Sequence, residues 1–140
     1  MRALGLVIAL SLASCGHAPE HRAVESAVLV ANTTRLAIET SEAAAKALYR
    51  QEQRAVLADT MAQGGNMEDA KRAVTVVRST WKPVWDALAA ARQAHEGLRS
   101  AIEAYEAGRG AVADVIVAAG KLRAAEDSAA EALRTVRGPD

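Results

Sequence analysis

The sequence has few of the residues that build a disulfide framework or a nucleic-acid interface. It contains one cysteine, Cys15, and therefore no partner for an intrachain disulfide. Its 17 Lys and Arg residues balance its 17 Asp and Glu residues, so no basic surplus exists to hold a phosphate backbone, and nucleic acid is not an expected partner. Aromatic residues make up only 3% of the chain and Phe is missing, so any core must be built from Ala, Val, Leu and Ile with two Trp. Small core residues favour closely spaced helices.

The residues that are present indicate one folded, all-α domain. The chain has 140 residues, of which 51% are hydrophobic, and this size suits a single core. From Pro19 onward no alternation of the β type persists, and neither Gly nor Pro interrupts the chain again before Gly64. Ala, Glu, Leu, Arg and Gln dominate this stretch, and all five are strong helix formers.

The first fourteen residues have the pattern of an export signal. Arg2 supplies a cationic start, and the apolar run from Ala3 to Leu12 is much shorter than the ~20 residues that a membrane-spanning helix needs. An apolar run of this length followed by small residues is typical of a cleavable signal peptide. We therefore predict a signal peptide over residues 1–14. The alternative is an ordinary buried segment in which Cys15 is only a small apolar side chain.

The signal segment closes with Leu12-Ala13-Ser14-Cys15, which resembles the lipobox of bacterial lipoproteins processed by signal peptidase II. All four positions match the pattern of that family. The resemblance implies that the Cys15 thiol takes up diacylglycerol, that Ala13 and Ser14 fit the peptidase, and that Leu12 packs in its apolar groove. It also implies an N-acyl chain such as palmitate on Cys15, and a lipidated tether over residues 15–18. Two or three acyl chains anchor a protein stably, because each buried methylene contributes about 0.8 kcal/mol.

The residue after the cysteine bears on location. In Gram-negative members of the family an Asp at this position is the usual signal for retention in the inner membrane, and here the residue is Gly16. The resemblance therefore implies anchoring in the outer membrane, facing the periplasm. The covalent lipid is the only non-protein group that we expect, and the expected partners are the membrane itself and an envelope protein.

Residues 19–140 are predicted to form a bundle of three antiparallel helices. The sequence Gln63-Gly64-Gly65 ends helix one, and Asn66 is placed to cap helix two, with Glu68 and Asp69 complementing its dipole. Gly108-Arg109-Gly110 makes the second turn. The short turns make neighbouring helices antiparallel, as in a coiled-coil hairpin. The predicted helices one and three run over Pro19 to Ala62 and from about Ala111 to Val136, and helix two lies between the turns.

Mainly apolar residues spaced by about three or four predict which face of each helix is buried. In helix two these residues are Met67, Ala70, Val74, Val77, Trp81, Val84, Leu88, Ala91, His95, Leu98, Ile102 and Tyr105. In helix three they are Val112, Val115, Ala119, Leu122, Glu126, Ala129, Leu133 and Val136. The stripe of helix one is broader and weaker, and includes Val24, Ala27, Val28, Ala31, Thr34, Ile38, Ala45, Leu48, Ala55 and Val56.

Pro83 removes one hydrogen bond from the ladder of helix two. The helix therefore either kinks near Trp81 or restarts there with Ser79 or Thr80 as a cap. The apolar seam continues in phase across this point, which favours a kink. Trp81 and Trp85 flank the proline, and they are expected to plug the core rather than to present an aromatic patch.

Helix three is too short to cover the whole hairpin. It has about 26 residues, against about 40 in each of the other two. After folding back it should end near the level of Trp81 and Leu48, so residues 49–80 would project as a two-helix arm with Pro83 as a hinge. Val74 and Val77 would then be exposed and would favour a homo-oligomer through residues 49–80.

Four further polar residues lie near the arm or the tether. Glu52 and Asp59 fall on the apolar side of helix one within the arm, where we expect solvent to reach them. His17 and His21 flank the predicted tether, and a spacer role is expected for both.

Two polar residues occupy seam positions where apolar residues are expected. Folding helix three back on helix two brings His95 and Glu126 within about one turn of each other, which predicts a polar core pair that fixes the register. One His and one carboxylate are fewer ligands than zinc needs, so no metal site is predicted. A ligand- or metal-binding bundle that uses His95 and Glu126 remains as an alternative.

No arrangement of catalytic residues is recognisable in the sequence. It has no Ser-His-Asp grouping on an exposed elbow, no glycine-rich phosphate loop and no second cysteine, so no enzyme activity is predicted. The preferred interpretation is a membrane-anchored helical lipoprotein of the envelope that acts as an interaction or spacer module. Two further alternatives are a phage outer-membrane spanin-like lysis subunit and a surface exclusion or immunity lipoprotein.

Overall fold

The computed structural model describes residues 19–137, which form three α-helices. Helix α1 spans Pro19–Ala62, α2 spans Met67–Glu106 and α3 spans Val112–Arg137. The hairpin of α1 and α2 is completed by the shorter α3, which packs on both. The predicted all-α, antiparallel three-helix bundle is therefore confirmed. None of these three helices combines the length and the apolar character that crossing a membrane requires.

The first turn ends α1 with a glycine and starts α2 with a capping box. Gly64 has a φ of 78°, in the left-handed region that favours glycine. The Asn66 side chain accepts hydrogen bonds from the backbone N–H groups of Glu68 at 2.8 Å and Asp69 at 3.1 Å. The Asp69 carboxylate in turn accepts the Asn66 N–H at 3.1 Å. The predicted cap is confirmed, and reciprocal bonds of this kind satisfy N–H groups that have no partner within the helix.

After the second turn, α3 begins one residue later than the predicted position. Gly108 has a φ of 68°. The backbone N–H of Ala111 donates to the Asp114 carboxylate at 3.0 Å, and the Ala111 carbonyl accepts the Asp114 N–H at 3.0 Å. Ala111 therefore occupies the capping position, and the helix itself begins at Val112.

Helix α2 continues through Pro83 without restarting. The hydroxyls of Ser79 and Thr80, which were the candidate caps for a restart, both donate back to the Val76 carbonyl, at 2.8 Å and 3.1 Å. Pro83 and Ser79 are exposed, so water can reach the carbonyl that loses its donor at the proline. The restart is therefore wrong, because α2 is a single helix from Met67 to Glu106, and the kink near Trp81 stays a prediction.

The core is divided into two clusters along the bundle. The turn-side cluster lies toward Gly108 and comprises Ala27, Ala31, Ile38, Ala91, Leu98, Ile102, Val115 and Leu122. The arm-side cluster lies toward the two-helix arm and comprises Ala45, Val77, Trp81, Val84, Leu88 and Ala129. Each cluster takes residues from all three helices, so α3 contributes to the core over most of its length.

The predicted seams agree closely with the buried faces, and two residues depart from them. On α2 the whole seam from Val77 to Ile102 is buried, whereas Met67 at the start is 68% exposed. On α1 the weak stripe is correctly placed except for Ala55, which is exposed. The seam of α1 runs instead through Glu52, because steps of seven from Ala45 lead to it.

The arm has the predicted extent, but its exposure differs from the prediction. Leu133 and Val136 near the end of α3 pack against the arm-side cluster, which contains Trp81, so α3 ends at the expected level. Val77 was expected to be exposed and is instead only 4% exposed, because it packs in the arm-side cluster at the base of the arm. Val74, one turn further out, is half-buried.

Candidate functional site

The predicted lipidation site lies outside the described residues. This applies to Leu12, Ala13, Ser14 and Cys15, and to His17, so their roles stay predictions. His21 lies in the first turn of α1, is exposed, and pairs through Nδ1 with the Glu25 carboxylate at 3.6 Å.

His95 connects α2 with α1. Its side chain is buried, with 7% exposure, and its Nε2 lies 2.8 Å from the carbonyl oxygen of Ala31. A neutral imidazole that carries its proton on Nε2 donates to this carbonyl. The bond gives a buried polar side chain a partner and links α2 to α1 at this level of the bundle.

Glu126, predicted to pair with His95, lies in a different environment. It is half-buried on α3 and makes no hydrogen bond or ion pair with any residue between 19 and 137. The hydrogen bond of His95 goes to α1 and leaves Glu126 in a groove between α1 and α3. Within the described residues, no group of three or more His, Cys, Asp or Glu side chains lies close enough to hold a metal ion.

The groove beside Glu126 follows the boundary between the two core clusters. It has a volume of about 460 Å³, and Leu88 and Ala91 of α2 form its floor. Small residues of α1, including Ser41, leave this space open on one side. Arg134 and Arg137 of α3 also line it, and Arg134 pairs with Glu131 at 2.8 Å. The groove offers one carboxylate in a mainly apolar wall and no nucleophile paired with a base.

Three aromatic side chains meet where α3 ends. The ring centroids of Tyr49, Trp81 and Trp85 lie 5.7 to 5.8 Å apart, and Tyr49 stands edge-on to both indoles. Trp81 is 2% exposed and forms part of the arm-side cluster, which confirms that it plugs the core. Edge-to-face contacts of this kind stabilise a core beyond the area that they bury.

The aromatic cluster gives Glu52 a partner that the prediction did not include. Glu52 is half-buried, and its carboxylate accepts the indole N–H of Trp81. A buried Trp usually needs such an acceptor, so the carboxylate completes the end of the core instead of facing only solvent. Asp59 is exposed, as predicted, and accepts from the Gln63 side chain at 2.9 Å.

A second groove runs along the arm, and the sequence reasoning missed it. Its volume is about 390 Å³, and it is lined by Leu57, Met67, Ala70, Lys71, Val74, Thr75 and Arg78. A signal for it was present in the sequence, because Met67, Lys71, Val74 and Arg78 follow one another in steps of four, three and four, and so share one helix face. We call this feature the arm groove.

No family model, curated protein or solved structure matches this chain. Its function is therefore inferred from the chemistry of its own residues.

Proposed function

We propose that this chain is an exported bacterial lipoprotein that acts in the cell envelope as a spacer or interaction module, without catalysis. Cys15 carries diacylglycerol and an N-acyl chain, and signal peptidase II cuts before it. The observation that carries the proposal is the sequence Leu12-Ala13-Ser14-Cys15 at the end of a short apolar run. Gly16 after the cysteine supports the outer membrane as the destination, with the bundle in the periplasm.

The dimensions of the bundle support a spacer role. The tether over residues 15–18 reaches at most about 14 Å when extended, so the start of α1 stays close to the membrane. Helix α1 has 44 residues. At 1.5 Å per residue it is about 66 Å long, and the turn at Gly64 lies at its far end. A lipid-anchored protein of this form presents its arm well away from the anchor, where it can meet an envelope protein.

Metabolic labelling with a palmitate analogue tests the anchor directly. The wild-type chain should incorporate label and sediment with membranes, whereas Cys15→Ser should lose the label and its mature form should be absent, because the thiol that forms the thioether is missing. Ser14→Ala is the matched control, since it keeps a small residue before the cysteine and should be labelled like the wild type. The proposal is wrong if Cys15→Ser is cut at the same bond and still sediments with membranes.

A further inference from the structure

The arm concentrates apolar side chains that the rest of the bundle does not cover. Eight large hydrophobic residues of the described chain are exposed, and four of them lie in the arm: Leu57, Met61, Met67 and Val76. Met61 and Met67 lie on either side of the turn that joins α1 to α2, and they are 57% and 68% exposed. Helix α3 ends before this level, so no third helix within residues 19–137 covers the sides of α1 and α2 here.

The arm groove is an open surface between α1 and α2. It follows one face of α2 from Met67 to Arg78, which is about 16 Å of helix, with Leu57 of α1 as its other wall. Val74 and Ala70 lie in the groove between the two helices. An amphipathic helix of three or four turns fits along such a surface through residues at i, i+3, i+4 and i+7.

The unpaired charges of the arm are mainly positive, with five cations against one carboxylate, Glu68, that has no side-chain partner among residues 19–137. Its cations are Arg50, Arg54, Lys71, Arg72 and Arg78, and none of the five forms an ion pair or a hydrogen bond with any residue between 19 and 137. Three of its four carboxylates are engaged within the arm or its base: Glu52 with Trp81, Asp59 with Gln63 and Asp69 with the backbone of Asn66. The groove itself contains two cations, Lys71 and Arg78, and no carboxylate.

We propose that the arm groove binds an acidic amphipathic helix of a partner protein. The apolar face of that helix packs on Leu57, Met67 and Val74, and carboxylates seven residues apart pair with Lys71 and Arg78, which are themselves seven residues apart. Methionine at the rim suits this task, because its unbranched side chain adapts to the partner's surface. This inference names the partner chemistry for the interaction role proposed above and rests on it.

The same charges disfavour a second copy of this chain as the occupant. In a symmetric, antiparallel pairing of two arm grooves about Val74 and Thr75, Lys71 of one copy faces Arg78 of the other. Two like-charged contacts would form by symmetry, and each destabilises the pair. An acidic helix converts both contacts into attractions.

Peptide binding to the full-length, detergent-solubilised protein tests the inference. The probe is a synthetic 18-residue helical peptide with a leucine face and glutamates spaced seven apart, and its control carries lysine in place of each glutamate. By fluorescence anisotropy the acidic peptide should bind, and Lys71→Glu with Arg78→Glu should weaken it about tenfold. The lysine peptide should instead bind this doubly reversed variant. Reversal of two exposed cations of α3, Lys121→Glu with Arg123→Glu, should change affinity less than about twofold.

Photo-crosslinking in cells links this chemistry to a real partner. A photoreactive residue at Thr75, in the groove, should capture a protein through a helix with acidic residues seven apart, and charge reversal at Lys71 and Arg78 should abolish the capture. The matched control places the photoreactive residue at Thr135, which is exposed on α3 and should not capture that protein.

Four results would overturn the inference. The first two are equal binding of the acidic and basic peptides, and unchanged binding of the acidic peptide after charge reversal at Lys71 and Arg78. The third is a dimer in analytical sedimentation that the Leu57→Gln substitution dissociates. The fourth is binding of the protein to phosphatidylglycerol vesicles without binding of the peptide. Circular dichroism verifies that the variants are folded. Membrane attachment through Cys15 is read separately, so failure of the anchor and failure of the groove are distinguishable.

Discussion

The three-helix section and the arm contain the same two long helices, but they differ in their ion pairs and in the side chains that they bury. All six ion pairs among residues 19–137 lie outside residues 49–80. The five largest fully buried side chains, Trp81, Leu98, Leu122, Val84 and Val115, also lie outside the arm. The difference in burial follows from α3, because two helices alone can bury only one narrow strip between them. Five of the six ion pairs lie within a single helix and do not depend on the packing of α3 against the other two. The arm is the part of residues 19–137 in which no cation forms an ion pair and in which Met61 and Met67 are exposed.

The largest effect that separates the two regions is expected from truncating Trp81. Trp81→Ala removes the largest fully buried side chain, where all three helices meet, and should lower the free energy of unfolding by about 3–5 kcal/mol. Met67→Ala in the arm groove removes a side chain that is 68% exposed, and should change it by no more than about 0.5 kcal/mol. Urea denaturation followed by circular dichroism measures both. Similar losses for the two variants would show that the arm is as well packed as the three-helix section.

The second-largest effect on stability is expected from replacing Glu52, whose carboxylate accepts the hydrogen bond of Trp81 at the boundary of the two regions. Glu52→Leu leaves the buried indole N–H of Trp81 without its partner and should cost about 1–3 kcal/mol of stability. Glu52→Gln retains an acceptor oxygen and should cost less. Asp59→Leu is the control in the arm, where the carboxylate is exposed, and should lie within about 0.5 kcal/mol of the wild type. If Glu52→Leu is as stable as Asp59→Leu, the bond to Trp81 contributes nothing.

The helices and their buried faces were predictable because local signals mark them. Glycine pairs interrupt strong helix formers at two places, Asn66 is a strong cap, and the heptad spacing of α2 is unbroken. These signals depend on one stretch of chain at a time. They placed α1 and the cap correctly and missed the start of α3 by one residue, where Ala111 takes the capping position.

The contacts between helices were harder to predict, for physical reasons. His95 bonds to the carbonyl of Ala31, and a backbone acceptor has no signature in the sequence. Glu52 looked solvated because the seam of α1 has few large apolar residues around it, and only the neighbouring Trp81 reveals its role. The arm groove is likewise formed by side chains of two different helices, Leu57 on α1 and Met67 on α2. Its exposure also depends on the position at which α3 ends.

The smallest effects are expected at two glycines, one in each region. Gly64, at the tip of the arm, has a φ of 78°, so Gly64→Ala strains the backbone and should destabilise the protein by about 1 kcal/mol. Gly97 lies inside α2 in the three-helix section, and a Cβ added there meets nothing within 4 Å. Gly97→Ala should therefore stabilise the protein by about 0.5–1 kcal/mol, because alanine loses less backbone entropy in a helix. Thermal unfolding resolves the opposite signs, and a fall in melting temperature for Gly97→Ala would mean that this face of α2 is covered, because a free helix surface accepts the methyl group.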